Sequence, residues 1–294
     1  MPVLRFRRRS AWFLALALAV ALIAGAPRAE AAPPDRIISL SPTATEMLFA
    51  TGAGRQVIAV DDQSNYPARA PRTRLSGFRP NIEAIAYYRP NLVVVSNDTN
   101  NVVAGLRKLG IRVVVSPAAR GFGDVYRQIR QLGGLTGHAP QAKRLVNRMR
   151  ARVKRIRASL DRPARRLTYY HELDQNYFSA TSMTFIGRVY SLLGLRNIAD
   201  AADDSGSGYP QLNAEYIISA DPDLIFLADT KCCDQTPETV AERPGWSGIA
   251  AVRNRAVVPL NDDIASRWGP RIVDYLALVA RRVAPPQRLA AASQ

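Results

Sequence analysis

The sequence predicts an α/β protein of two similar lobes with mainly parallel sheets, joined by one long rigid α-helix. Three observations predict it. Residues 81–96 read NIEAIAYYRPNLVVVS and residues 213–228 read NAEYIISADPDLIFLA, so a helix, a proline stop and a buried strand recur 132 positions later. Strand and helix signals alternate along the rest of the chain, the pattern of βαβ units. Between the repeats, Leu145, Met149, Val153, Ile156 and Leu160 recur at steps of three and four, the apolar stripe of a helix long enough to span about 30 Å.

Taken in order, residues 36–40 are a first strand, and Ser41-Pro42-Thr43 opens a helix with proline at an early position, where its missing N–H costs nothing. That helix runs through Glu46, Met47, Leu48 and Phe49 to Gly52, and residues 56–60 are the second strand. In the repeated unit Asn81 and Asn213 are N-caps, accepting a backbone N–H that a helix start leaves unpaired. Glu83 and Glu215 follow in the first turn, where the helix dipole favours negative charge. Arg89-Pro90 and Asp221-Pro222 end the helices, because a residue before proline is driven out of the α region. The runs 92–95 and 224–227 are continuously apolar, as strands covered on both faces are. Residues 102–109 are helical up to Gly110, 111–115 form a strand, and 125–135 form a helix closed by Gly133-Gly134. The second lobe begins with a strand at 166–170 and a helix at 184–193 ending at Gly194. A turn-rich loop, 203–208, then leads to Tyr209; after the second repeat come a strand at 256–259 and a last helix at 271–283. The implied divisions are a leader (1–31), an N-terminal lobe (32–137), the linker helix (138–162) and a C-terminal lobe (163–294).

The leader reads as a signal peptide. Arg5, Arg7, Arg8 and Arg9 precede an apolar run, and Ala29-Glu30-Ala31 offers small residues at the two positions a signal peptidase reads. The run is short of the roughly 20 residues a membrane span needs. No cysteine lies near the cleavage site, so the mature protein is expected to be a soluble periplasmic protein, cleaved near Ala31, and not a lipoprotein. Lys and Arg total 40 against 24 Asp and Glu, a net +16; without the leader's five Arg and Glu30 the balance is 35 against 23, or +12. The basic residues are spread along the chain with no basic–aromatic module, so nucleic acid is not an expected partner. The arginines and lysines of the linker helix read as its solvated face.

Reactive side chains are few. The chain has two histidines. His138 sits at the start of the linker helix. His171 follows the predicted strand and is a candidate axial ligand for a metal-bearing molecule, with a hydrogen-bonded structural role as the alternative. The two cysteines, Cys232 and Cys233, are adjacent. An oxidising compartment favours their pairing, although neighbouring Cα atoms, about 3.8 Å apart, lie closer than the usual ~4.4–6.8 Å disulfide span. A vicinal disulfide stiffening its loop is the expectation; free thiols or a soft metal site are the alternatives. No GxSxG, HExxH, Walker or EF-hand pattern is present, and no C-x-x-C. A secreted enzyme, or a thiol oxidoreductase working through Cys232 and Cys233, is thus the reading of a different class.

The segments RIISLSPTATEMLFATG, NYPARA, NIEAIAYYRPNLVV, the long helix, NAEYIISADPDLI and SRWGPRIVD, in that order, resemble the single-helix-linked periplasmic binding proteins. These serve ABC importers of cobalamin, haem and iron–siderophores. The resemblance covers essentially the whole mature chain and is closest to cobalamin-binding members, through NYP, Tyr209-Pro210, and Asp263 with Arg267 before PRI. It implies a non-enzymatic monomer without a resident cofactor. Such a protein holds cobalamin or a related corrinoid, or else a ferric siderophore or haem, in a cleft between the lobes and delivers it to an ABC permease dimer in the inner membrane. The implied ligand contacts are Tyr66 and Phe78 from the first lobe and Phe178, Tyr209, Asp263 and Arg267 from the second. Core packing is the alternative for Tyr66, Phe78 and Phe178. Glu83 and Glu215 become the permease-docking residues, pairing with its arginines. The family often has tryptophan at the positions of Phe78 and Tyr209, so this chain offers smaller rings there.

Overall fold

The computed structural model describes residues 32–160 and 166–283; the expected signal peptide lies outside them. Two four-stranded sheets are each wholly parallel. In the first, β1 (Ile37–Leu40), β2 (Val57–Val60), β3 (Leu92–Val95) and β4 (Arg112–Val115) lie in the order β2-β1-β3-β4. In the second, β5 (Thr168–Glu172), β6 (Arg196–Asn197), β7 (Leu224–Leu227) and β8 (Val257–Pro259) lie in the order β6-β5-β7-β8. The sheets share topology and register: Ile37 pairs with Leu92 in one and Tyr169 with Leu224 in the other, each pair shifted by the same 132 residues.

The helices of the first half are α1 (Pro42–Thr51), α2 (Ile82–Tyr87), α3 (Val102–Lys108) and α4 (Phe122–Leu135). The linker helix is α5 (Ala139–Ala158), a little shorter than the sequence suggests. The second half adds α6 (Phe185–Ser191), α7 (Ala214–Ala220), α8 (Pro237–Ala241), α9 (Ala250–Arg253), α10 (Asp262–Ala265) and α11 (Ile272–Val283). Asn81 caps α2 by accepting from Ala84 N at 2.9 Å, and Asn213 caps α7 by accepting from Tyr216 N at 2.8 Å. The residues before the two prolines leave the α region by turning left-handed, Arg89 at φ 49° and Asp221 at φ 41°. That conformation is uncommon for any side chain other than glycine, and here it recurs at equivalent positions.

One face of each sheet looks onto a single apolar core that runs from Ile37, Met47 and Ile129 through Leu145 and Met149 of the linker helix to Tyr169, Tyr190 and Leu276. Val153 and Ile156 pack against it, completing the stripe expected of the linker. The other faces carry separate cores, Ile38, Ile85, Val93 and Leu106 in the first lobe and Tyr170, Ile217, Ile225 and Trp246 in the second. Helices α2 and α7 therefore lie on the outer layers, away from the shared core. Separating the lobes would expose that core to water, at about 25 cal/mol per Å² of apolar surface. Two features escape the sequence reading: β6 is only two residues long, and β5 continues through His171 to Glu172.

Candidate ligand site between the lobes

In a parallel sheet every strand ends on the same edge, and open α/β sheets bind ligands beyond those carboxyl ends. Tyr66 and Phe78 follow β2, Phe178 follows β5, Tyr209 follows β6, and Asp263 and Arg267 follow β8. The aromatic residues are not core residues: Phe78 is 75% exposed, Tyr209 48%, Tyr66 45% and Phe178 36%. Met183, 68% exposed, lies in the loop between Phe178 and α6 and carries no sequence signal, because a lone methionine in a loop has no periodicity. Local hydrogen bonds place this group. Ser179 N donates to Pro210 O and Thr181 N to Gly208 O, both at 2.9 Å, tying the segment of Phe178 to that of Tyr209. The Asp203 carboxylate accepts from Ser207 N at 3.0 Å and Gly208 N at 2.7 Å, closing the turn that delivers Tyr209.

Polar side chains from both lobes meet as well. Arg267 donates to Asp263 Oδ1 at 2.8 Å and reaches across to Asn65 Oδ1 at 2.7 Å and Gln63 O at 3.1 Å. Asn65 Nδ2 donates back to Asp263 Oδ2 at 3.2 Å, which also takes Lys231 Nζ at 2.6 Å. Burial alone would raise the Asp263 carboxyl, but Lys231, Arg267 and Asn65 hold it below the usual carboxylate range. Deeper still, the buried Glu46 accepts from Arg271 Nε at 2.9 Å and from its Nη2, with Arg267 Nη1 at 3.5 Å. At Gly269 a Cβ would stand 2.8 Å from Glu46 Oε2, so a side chain there would displace the carboxylate. Gly77 has a like role before Phe78: a Cβ there would meet Leu40 O at 2.6 Å and Asp61 Oδ2 at 2.8 Å. Asp61 itself is buried, and that burial pushes its carboxyl up to about 6 despite the hydrogen bond from Ser64. Asp263 and Arg267 are thus brought together as expected, with Glu46, Asn65 and Arg271 as unforeseen partners.

His171 does not reach the cleft. It lies inside β5 with no exposed surface, Nδ1 at 2.8 Å from Tyr190 Oη, and burial drives its pKa down to about 3. In this conformation the structural reading holds and axial ligation from His171 does not, because Tyr190 and the shared core enclose the ring. His138 is the N-terminal flanking residue of α5, its Nδ1 at 2.8 Å from Thr136 O. Beside His171, the buried Glu172 takes both guanidinium nitrogens of Arg243, at 2.6 and 2.7 Å.

Cys232 and Cys233 are joined as a vicinal disulfide in the loop after β7. The Asp262 carboxylate gathers that loop, accepting from Thr230 N at 3.2 Å, Lys231 N at 2.9 Å and Cys232 N at 3.3 Å. Among the described residues no group of three or more His, Cys, Asp and Glu is placed to hold a metal ion. Glu83 and Glu215 are exposed in the first turns of α2 and α7, and among the described residues neither forms an ion pair.

Residues 37–264 match the family described as periplasmic binding protein. The chain is 32% identical over 259 residues to a cobalamin-binding protein of Halobacterium salinarum, covering 84% of this chain and 69% of that one. It is 27% identical over 261 residues to an uncharacterized ABC transporter substrate-binding lipoprotein of Bacillus subtilis, covering 86% and 81%. Among solved structures, the periplasmic heme binding protein of Vibrio cholerae superposes with a TM-score of 0.75 over 85% of this chain and 99% of that one; at 20% identity it speaks for the fold alone.

Proposed function

The chain belongs to the periplasmic binding protein family, and from that premise we propose that it is the solute-binding component of an ABC importer that captures cobalamin or a related corrinoid between its lobes. One observation carries the reading: four aromatic side chains, two from each lobe, stand exposed at the strand carboxyl ends beside a polar floor that joins the lobes. A corrin is broad, flat, partly apolar and fringed with amides. Aromatic faces suit its apolar area, while Asp263 and Arg267 suit its fringe. Exposed rings cost a free protein solubility, so rings left exposed at the strand carboxyl ends of both lobes point to a partner surface.

Delivery completes the role. Glu83 and Glu215 stand on equivalent outer helices, one per lobe, and carboxylate–arginine pairing is bidentate and directional. A permease of two like halves would engage both. The protein acts as a monomer, released from its leader near Ala31. Binding, not turnover, is its task. Equilibrium dialysis of the purified protein against cyanocobalamin tests the proposal: retention of one corrinoid per chain supports it, and no retention overturns it.

A further inference from the structure

We propose that Arg271 is the positioning residue for Tyr66, so that an aromatic contact of the first lobe is oriented from the second; this deepens, and rests on, the reading of the cleft as the cargo site. The guanidinium carbon of Arg271 lies 3.9 Å from the centroid of the Tyr66 ring. Its Nε and Nη2 are committed to Glu46, whose side chain is 2% exposed. Glu46 is in turn fixed in α1, and the close approach that Gly269 permits keeps its carboxylate against the second lobe. A planar cation stacked on a ring covers one face and leaves the other free. Tyr66 shows that arrangement, backed by Arg271 and still 45% exposed.

The consequence is preorganisation. A tyrosine in a loop would lose rotamer freedom on binding cargo; one clamped between the lobes has lost it already. Glu46 and Arg271 are 225 residues apart, so the clamp exists only when the lobes stand at this spacing. Cargo stacking on Tyr66 would therefore report lobe arrangement. Lysine at 271 would keep the charge but not the plane or the two-pronged bond.

The test is a double-mutant cycle with R271M and Y66L, read as the dissociation constant for cyanocobalamin. Each single variant should weaken binding about tenfold or more, and the double should fall within roughly twofold of the weaker single, as coupled neighbours do. R271K, which preserves charge, should lie between R271M and the parent and serves where R271M does not fold. A binding constant unmoved by R271M or R271K, or effects that multiply in the double, would overturn the proposal. A readout free of cargo separates its failure from that of the functional reading. In protein labelled with 3-fluorotyrosine, the ¹⁹F resonance of Tyr66, assigned by Y66F, should shift or broaden in R271M and R271K. An unmoved resonance refutes the clamp whatever the cargo. A moved resonance without corrinoid binding leaves the clamp standing and refutes the cargo.

Discussion

Asp223 does for Thr168 what Asn91 does for Arg36. Each residue follows its lobe's helix-ending proline and reaches back to the start of the central strand segment. The Asn91 side chain accepts from Arg36 N at 3.1 Å, and the Asp223 carboxylate accepts from Thr168 N at 2.8 Å. Both members of the pair are displaced by the 132 residues of the repeat. Asp223 also takes Thr168 Oγ1 at 2.9 Å and its own N–H donates to that hydroxyl at 3.1 Å, all half-buried, whereas the further bond of Asn91, from Nδ2 to Asp35 Oδ1 at 2.7 Å, joins exposed groups. D223A is expected to destabilise the protein by about 2 kcal/mol and N91A by about 1 kcal/mol or less, since the first is half-buried and charge-assisted. Urea denaturation checks both; equal or absent losses would contradict the comparison.

Stability should depend on pH through Asp229. This carboxyl is fully buried and no donor reaches either oxygen. Burial first, and the neighbouring Glu172 charge second, push it up to about 7. In the unfolded chain it ionises near ~4. The folded state thus holds an extra proton between those values. Its stabilising effect is complete below pH ~4, declines as pH rises towards 7 and is gone above. D229N keeps the shape without the charge and can donate to Glu172. It should match the parent below pH 4 and exceed it by about 2 kcal/mol at pH 8. His171 acts in the opposite sense, losing stability as pH falls from its ordinary value towards about 3, but it is common to both proteins and cancels. Thermal melts across pH 4–8 decide; a variant less stable at pH 8 would contradict the assignment.

Transport and binding should separate at the outer helices. E83A with E215A is expected to abolish uptake while leaving cobalamin affinity within roughly twofold, because neither carboxylate takes part in the hydrogen bonds of the polar floor and a lost docking pair costs the complex, not the cargo site. Each single variant should retain partial uptake. An uptake assay beside a binding titration reads both; lost affinity, or undiminished uptake in the double variant, would contradict the docking role.

Much of this architecture was legible in sequence because it is periodic. The repeat, the linker stripe and the continuous strands are patterns of spacing, and the two sheets reproduce them in register. The cleft aromatics were legible through likeness to a family, and the structure settles that Tyr66, Phe78 and Phe178 are exposed and not packed inside. What could not be read are partners remote in the chain. Glu46 sits in an apolar helix, and nothing near it announces arginines more than two hundred residues away. His171 ended a predicted strand, but the groups that seal it, Tyr190 and the shared core, come from other elements. Strand β6, two residues long, is below the length at which alternation says anything.

Capture of a corrinoid between the lobes can be read from competition for the cleft. Trp268, half-buried beside Arg267, is a natural reporter. Its fluorescence should be quenched by cyanocobalamin, saturating at one per chain with a dissociation constant of about 1 μM or tighter, and neither haemin nor a ferric hydroxamate should displace the corrinoid at equal concentration. Tight binding of haemin or the ferric hydroxamate, with cyanocobalamin unable to compete, would contradict the account.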